Sequence, residues 1–316
     1  MRWLLLALTL FVSPAFEQTQ WVTLGTSGGP AVQRERSQIA NALVTPGGVY
    51  LFDVGNGVQR QMALAGIVER DVKVIFLTHH HLDHVADLGP LLWTRWTFGG
   101  GPLTVVGPPG TKALVDGLIA ASEPITLAGY PVAGPAKPTL GELVSVIEIP
   151  ADLDQPTRVY ADAQIKVKAI GVDHYQSPPS VPVAVMPQAV AYRVEAGGRS
   201  IVYSGDSGPS ARLTRLAKDA DLLVTEVVEP DAIAAVLTGG AQGAGAARAG
   251  IVRGMRVNHL TPGEVGRMAQ AAGVREVVLT HFVPSPEVVP DKGIYAREIG
   301  AIYKGPLRLA NDLDRF

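Results

Sequence analysis

From Trp21 onward the sequence alternates strand-like and helix-like runs, and it does so twice, which confines the chain to a layered α/β architecture. The first pass reads "WVTLGT", "NALVTP", "VYLFDV", helical "GVQRQMALAG", "VKVIFLT", a second helix, "PLTVVGP" and helical "GTKALVDGLIAA". The second reads "ELVSVIEI", "QIKVKAIGV", "AVAYRVEAGGRSIVYSGDS", helical "ARLTRLAKDA", "DLLVTEVV", two helices and "REVVLTHF". Each half is rich in strands and finishes in helices, so two packed sheets with helices outside are expected. Gly197-Gly198 between two such runs predicts a tight hairpin, whose central residues need φ > 0. No repeat or linker divides the chain, and a single domain over 16–316 is expected.

A hydrophobic share of 47% supplies the core, and the charged share of 18% lies below the usual quarter or so. The start, "MRWLLLALTLFVSPAFEQTQ", has one arginine, an apolar run from Leu4 to Val12 and small residues after it. This is the pattern of a signal peptide over residues 1–15, cut after Ala15. The run is too short for the roughly 20 residues that span a bilayer, so a secreted, periplasmic protein without a stable membrane anchor is expected. Loss of Arg2 moves the formal charge from −2 to −3. No polyanion-binding surface is advertised by that balance, and nucleic acid is not the expected partner. The absence of cysteine excludes disulfides, thiolate ligands and cysteine nucleophiles. Two irregular stretches remain: the proline-rich "QSPPSVPVAVMPQ" after His174, placed where a lid would be useful, and "TGGAQGAGAARAG", read as a surface loop.

The chemistry concentrates in "LTHHHLDHVADL", which holds four of the seven histidines. His79, His81, Asp83 and His84 form an H-x-H-x-D-H array at the end of a predicted strand. Alternate residues of an extended segment point the same way, so His79 and His81 can share one metal while Asp83 and His84 serve a second. His80 points oppositely and is read as structural. His174, His259 and His281 each sit at a strand end or loop, and Asp206 follows "IVYSG". Together these supply ligands for two ions bridged by one aspartate, and imidazole with carboxylate suits zinc, manganese or iron.

In sequence order, "LGTSGGP", "LFDVGNGVQRQM", "THHHLDHVADL", "VYSGDSGPS", "LLVTEVVEP", "NHLTPGE" and "VVLTHF" resemble the metallo-β-lactamase superfamily, specifically its ribonuclease Z-like branch. The resemblance implies an αββα four-layer sandwich with two zinc ions at one edge of the sheets. It implies that His79, His81 and His174 hold one ion and Asp83, His84 and His281 the other, with Asp206 bridging and Asp53 behind the ligands. His259 and Glu226 match the branch's catalytic histidine and its glutamate, although the neighbouring residues differ. Thr261-Pro262-Gly263-Glu264 also reads as a capping box that starts a helix just after His259. With Asp206 present and no cysteine, a lactam-hydrolysing role is disfavoured.

The resemblance implies ester hydrolysis, with Asp83 taking the proton of the nucleophile and His259, oriented by Glu226, assisting the leaving oxygen. Between Leu103 and Asp173, where the branch carries its basic transfer-RNA arm, this chain has five lysines and arginines, scattered in sequence. The expectation is therefore a hydrolase of small phosphodiester or sulfate esters, the alternatives being a class II-like cyclic-nucleotide phosphodiesterase, a ribonuclease Z-type endoribonuclease, a lactonase or a non-catalytic metal-binding protein. Asp87 departs from the cyclic-nucleotide pattern. Relatives of this branch also make a homodimer an expectation. Trp93 and Trp96, spaced i and i+3, are read as core packing rather than as a substrate pocket.

Overall fold

The computed structural model describes residues 18–128, 138–175, 187–239, 245–291 and 293–316. The expected leader and most of the proline-rich stretch after His174 lie outside the described residues. Among those described, no helix is long and apolar enough to cross a membrane.

The first sheet takes the order β1 (Gln20–Gly25), β2 (Ala40–Thr45), β3 (Gly48–Val54), β4 (Val72–Phe76), β5 (Leu103–Gly107) and β6 (Val144–Glu148). Its first three strands are antiparallel and the rest run parallel. The second sheet contains β7 (Thr157–Ala161), β8 (Ile165–Val172), β9 (Ala189–Ala196), β10 (Arg199–Tyr203), β11 (Leu222–Val228), β12 (Val277–Val283) and β13 (Leu307–Leu309). Here the spatial order is the reverse of the chain order, from β13 at one edge to β7 at the other. Strands β7 to β10 are antiparallel and β10 to β13 parallel.

Helices α1 (Val58–Leu64), α2 (Leu82–Val85), α3 (Leu88–Thr97), α4 (Thr111–Ala121), α5 (Glu123–Ala128) and α6 (Leu140–Leu143) belong to the first half. The second half carries α7 (Ala211–Leu216), α8 (Pro230–Leu237), α9 (Gly245–Asn258), α10 (Pro262–Ala272) and α11 (Ile294–Ile302). Alternation along each strand sorts the apolar side chains into layers. Trp21, Phe52 and Phe76 meet Tyr192 and Tyr203 between the sheets. Outside the first sheet, Met62, Leu88, Leu92 and Val115 of the helices cover Leu51 and Ile75. Outside the second, Leu213, Val265, Met268 and Ile299 cover Ile170 and Leu223. The result is the expected αββα sandwich, with each large buried side chain contributing about 1.5–3 kcal/mol from apolar burial.

The hairpin turn falls at Gly197-Gly198, with φ of 57° and 76°. Trp93 and Trp96 pack against the outer layer of the first sheet, in keeping with a core role. One expectation is corrected. From Gly245 the glycine- and alanine-rich stretch is the first part of α9, not a surface loop. The run Ala246, Ala247, Arg248, Ala249 has high intrinsic helix propensity, which outweighs the cost of the flanking glycines.

Candidate metal centre

The centre begins where the two sheets are tied together. After Phe76 the chain leaves β4; Tyr192 donates its hydroxyl to the Leu77 carbonyl at 2.6 Å, and the Val190 amide donates to the Thr78 carbonyl at 2.9 Å. Asp53, at the end of β3, accepts from the Thr78 amide and hydroxyl, each at 2.8 Å, and from the Tyr203 hydroxyl at 2.8 Å. Both Asp53 and His281 hold φ values in the left-handed region, 57° and 43°. Such strain in non-glycine residues persists where the surroundings over-determine it, commonly at functional sites.

Two groups of side chains converge here. Ligand atoms of His79, His81, His174 and Asp206 lie within 4.8 Å of one another, and so do those of Asp83, His84 and His281. Asp206 faces both. Its Oδ1 stands 3.3 Å from His84 Nε2 and 3.2 Å from His281 Nε2, while Oδ2 is 3.9 Å from His79 Nε2 and 3.8 Å from His174 Nε2. The loop that carries Asp206 passes close over Thr78. At Gly205, with φ of 55°, an added Cβ would come within 2.7 Å of the Thr78 side chain, so only glycine fits.

The histidine tautomers are set from behind. His84 Nδ1 donates to Asp53 Oδ2 at 2.8 Å, His174 Nδ1 to the Asn258 carbonyl at 2.8 Å, and His79 Nδ1 to the Thr78 hydroxyl at 3.1 Å. In each case Nε2 is the ring nitrogen left facing the centre, the one a metal ion would take. His79 Nε2 and Asp206 Oδ1 are buried without a hydrogen-bond partner, which is costly unless an ion satisfies them. Three imidazoles with a carboxylate, beside two imidazoles with a carboxylate, match a zinc-type donor set. The residues present therefore fit the metal ions that the fold implies.

The electrostatics agree. Burial works against the charge on Asp206, but the imidazoles of His281, His84 and His79 outweigh it and hold the carboxyl well below its usual range. Asp83 is likewise depressed by His84 and His281 against the effect of burial. Burial pushes the His174 imidazole down to about 3, so it is neutral and able to ligate.

A third group adjoins these. His259 Nδ1 bonds Glu226 Oε2 at 2.7 Å and lies 3.7 Å from Asp206 Oδ2. Burial lowers the His259 pKa, but the Glu226 and Asp206 charges prevail and place it at about 9. Burial pushes Glu226 up, while the charge and hydrogen bond of His259 work against that rise; its Oε1 accepts from the Ser207 amide at 2.6 Å. His259 is fixed from its other side by the helix that follows. Glu264 accepts from the Thr261 amide at 2.9 Å and hydroxyl at 2.7 Å, with Pro262 in the first turn, as the capping box predicts.

All nine residues singled out for chemistry are thus brought to one place. His80 turns away, its Nε2 at 2.9 Å from the Thr111 hydroxyl, as a structural residue would. Sequence reasoning gave no role to several others. Gly29 donates its amide to Asp83 Oδ2 at 2.8 Å, and Gly28 lies against the His281 ring. Tyr175 sets its ring edge-on to His174 and His81, with centroids 4.9 and 5.2 Å apart. The paired glycines of "TSGGP" were the one signal available for the first two.

Comparison with known proteins gives a concordant answer. Residues 49–282 match the family model described as the beta-lactamase superfamily domain. A ribonuclease Z of Mycobacterium sp. (strain KMS) is 31% identical over 297 residues, 93% of this chain and 94% of the relative. Among solved structures, the short form of human tRNase Z superposes with a TM-score of 0.63 at 23% identity, covering 94% of this chain and 98% of that one. Zn(2+)-bound PqqB from Methylobacterium extorquens gives 0.63 at 18% identity, covering 94% and 99%. These two support the fold.

The expectation that nucleic acid is not a partner is overturned by relatives that are ribonucleases by name over nearly the whole of this chain. That expectation rested on net charge and on cations counted along the sequence, and neither measures where strand pairing brings side chains together. The chain belongs to the metallo-β-lactamase superfamily and, within it, to the ribonuclease Z-like branch.

Proposed function

We propose that this chain is a metal-dependent phosphodiesterase of the ribonuclease Z type, acting on RNA with two zinc ions. His79, His81 and His174 would hold one ion, Asp83, His84 and His281 the other, with Asp206 between them. The observation that carries the reading is His259 held by Glu226 at 2.7 Å beside Asp206, a donor placed to meet a phosphodiester oxygen that gains charge. The names of the relatives favour this over hydrolysis of small phosphodiesters or sulfate esters.

When bound, the metals would polarise the phosphoryl oxygen and make water acidic enough to attack near neutral pH. The remaining work falls to the protein. Gly29 N–H and His281 Nε2 both meet Asp83 Oδ2, which leaves Oδ1 to take the proton of the attacking water. With Nδ1 engaged by Glu226, His259 presents Nε2–H and delivers that proton to the leaving oxygen as the P–O bond breaks. Glu226 keeps the imidazole oriented, and its buried charge keeps it protonated.

The test is turnover of zinc-loaded protein on a 3′-extended RNA, an aryl phosphodiester and an aryl sulfate, each with a metal-stripped control. Metal-dependent cleavage of the RNA and the phosphodiester supports the reading; cleavage of the sulfate alone contradicts it. The leader-like residues 1–15 support export, which the N-terminal mass of the protein recovered from its host would test.

A further inference from the structure

Cations that stand apart in the sequence are gathered by strand register. On the outer face of the second sheet, Arg158 of β7 pairs directly with Lys168 of β8, and Lys168 pairs directly with Arg193 of β9. Three positive side chains thus lie in one row across the last three strands, about 5 Å from strand to strand. Directly opposed like charges are destabilising, and opposed unlike charges are the favoured arrangement. The same strand pair shows the favoured arrangement two residues away, where Lys166 faces Glu195.

Arg193 is already paired and largely covered, but the other two cations of the row are not. Arg193 bonds Glu195 at 2.8 Å and donates to the Leu216 and Lys218 carbonyls at the end of α7. Arg158 and Lys168 are exposed and have no carboxylate partner among the described residues. From α7, which packs beside the row, Arg215 adds a charge that bonds the Asp154 carbonyl at 3.2 Å and no carboxylate among the described residues. β8 then runs from the row into His174, six residues beyond Lys168 and so about 20 Å away. This concentration occurs in a chain whose formal charge is −2.

We propose that the Arg158–Lys168–Arg193 row is a phosphate-tracking surface that holds the RNA backbone on its way to the metal centre. The inference rests on the reading of the chain as an RNA phosphodiesterase and names the surface that serves it. Like charges in register lose their mutual repulsion when a polyanion lies across them, and a sheet face offers contacts to phosphates without reading base sequence.

The experiment measures binding of a labelled 3′-extended RNA hairpin to metal-loaded full-length protein as a function of salt, for wild type, the Arg158→Ala/Lys168→Ala double variant and Lys168→Glu. Loss of two phosphate contacts should weaken binding about tenfold and flatten the slope of log K against log salt by about 1.5. Lys168→Glu should weaken RNA binding while raising the thermal midpoint, since it turns two repulsive pairs into attractive ones. A purely structural row would not separate those two effects. Unchanged affinity and slope in the double variant overturn the inference, as does wild-type binding to anionic lipid vesicles but not to RNA. Failure of the functional reading looks different: wild type that binds RNA with the expected slope but does not cleave it.

Discussion

His259 is the residue at which metal binding and turnover should come apart. It meets Glu226 at 2.7 Å and stands outside the two groups of ligand atoms that would hold the ions. We expect His259→Ala to keep the full metal content while turnover falls about 10²–10⁴-fold, the usual loss on removing a general acid. Metal analysis with steady-state rates checks both halves. The candidate ligand residues were legible as a cluster in the sequence because strand alternation puts His79 and His81 on one side, and because histidine is scarce in this chain. The residues behind them were not. Tyr203 and the Asn258 carbonyl reach the centre from distant positions, and neither a strand tyrosine nor a main-chain oxygen carries a sequence signal.

At the scale of elements, loops and bulges aim the side chains. Between Thr225 and Val227 the pairing of β11 with β12 slips, so that Leu279 and Phe282 flank an extra residue on β12. This bulge lies beside Glu226 and His281 and re-aims both, a use common near active sites. The loop after β1 closes the same corner. A Cβ on Gly28 would come within 2.5 Å of the His281 ring and 2.6 Å of Val283. Gly28→Ala should therefore weaken metal binding at the Asp83–His84–His281 group by about 10–100-fold, as loss of support behind a ligand does. Competition with a chelator, compared with the thermal midpoint, shows whether the effect is local. The sequence made the strands and the hairpin visible through alternation and paired glycines. It could not show the slip between β11 and β12, which depends on the partner strand.

Across the whole molecule, Arg36 ties the segment after β1 to the segments around Glu287 and Ala310. Its guanidinium bonds Glu287 through Nε at 2.9 Å and through Nη2 at 2.9 Å, and reaches the Ala310 carbonyl at 2.8 Å. The Arg36 hydrogen bonds hold the Glu287 carboxyl down at about 2. A depressed acid stabilises the fold above its unfolded pKa, near 4.5, and the contribution is lost as pH falls through about 2. The urea midpoint of wild type should exceed that of Glu287→Gln above pH 4.5 or so, and the gap should close toward pH 2. Two sheets with outer helices could be read from the order of strand-like and helix-like runs, but, beyond the Gly197-Gly198 hairpin, not which strands pair. For that reason the basic row on the second sheet was invisible, although Arg158, Lys168 and Arg193 were in plain view. The central claim, a two-metal centre bridged by Asp206, is tested most directly by metal content and turnover of wild type against Asp206→Ala. We expect two metals per chain in the active wild type, with metal and activity both lost in the variant. Full metal content with undiminished activity in Asp206→Ala would contradict the account.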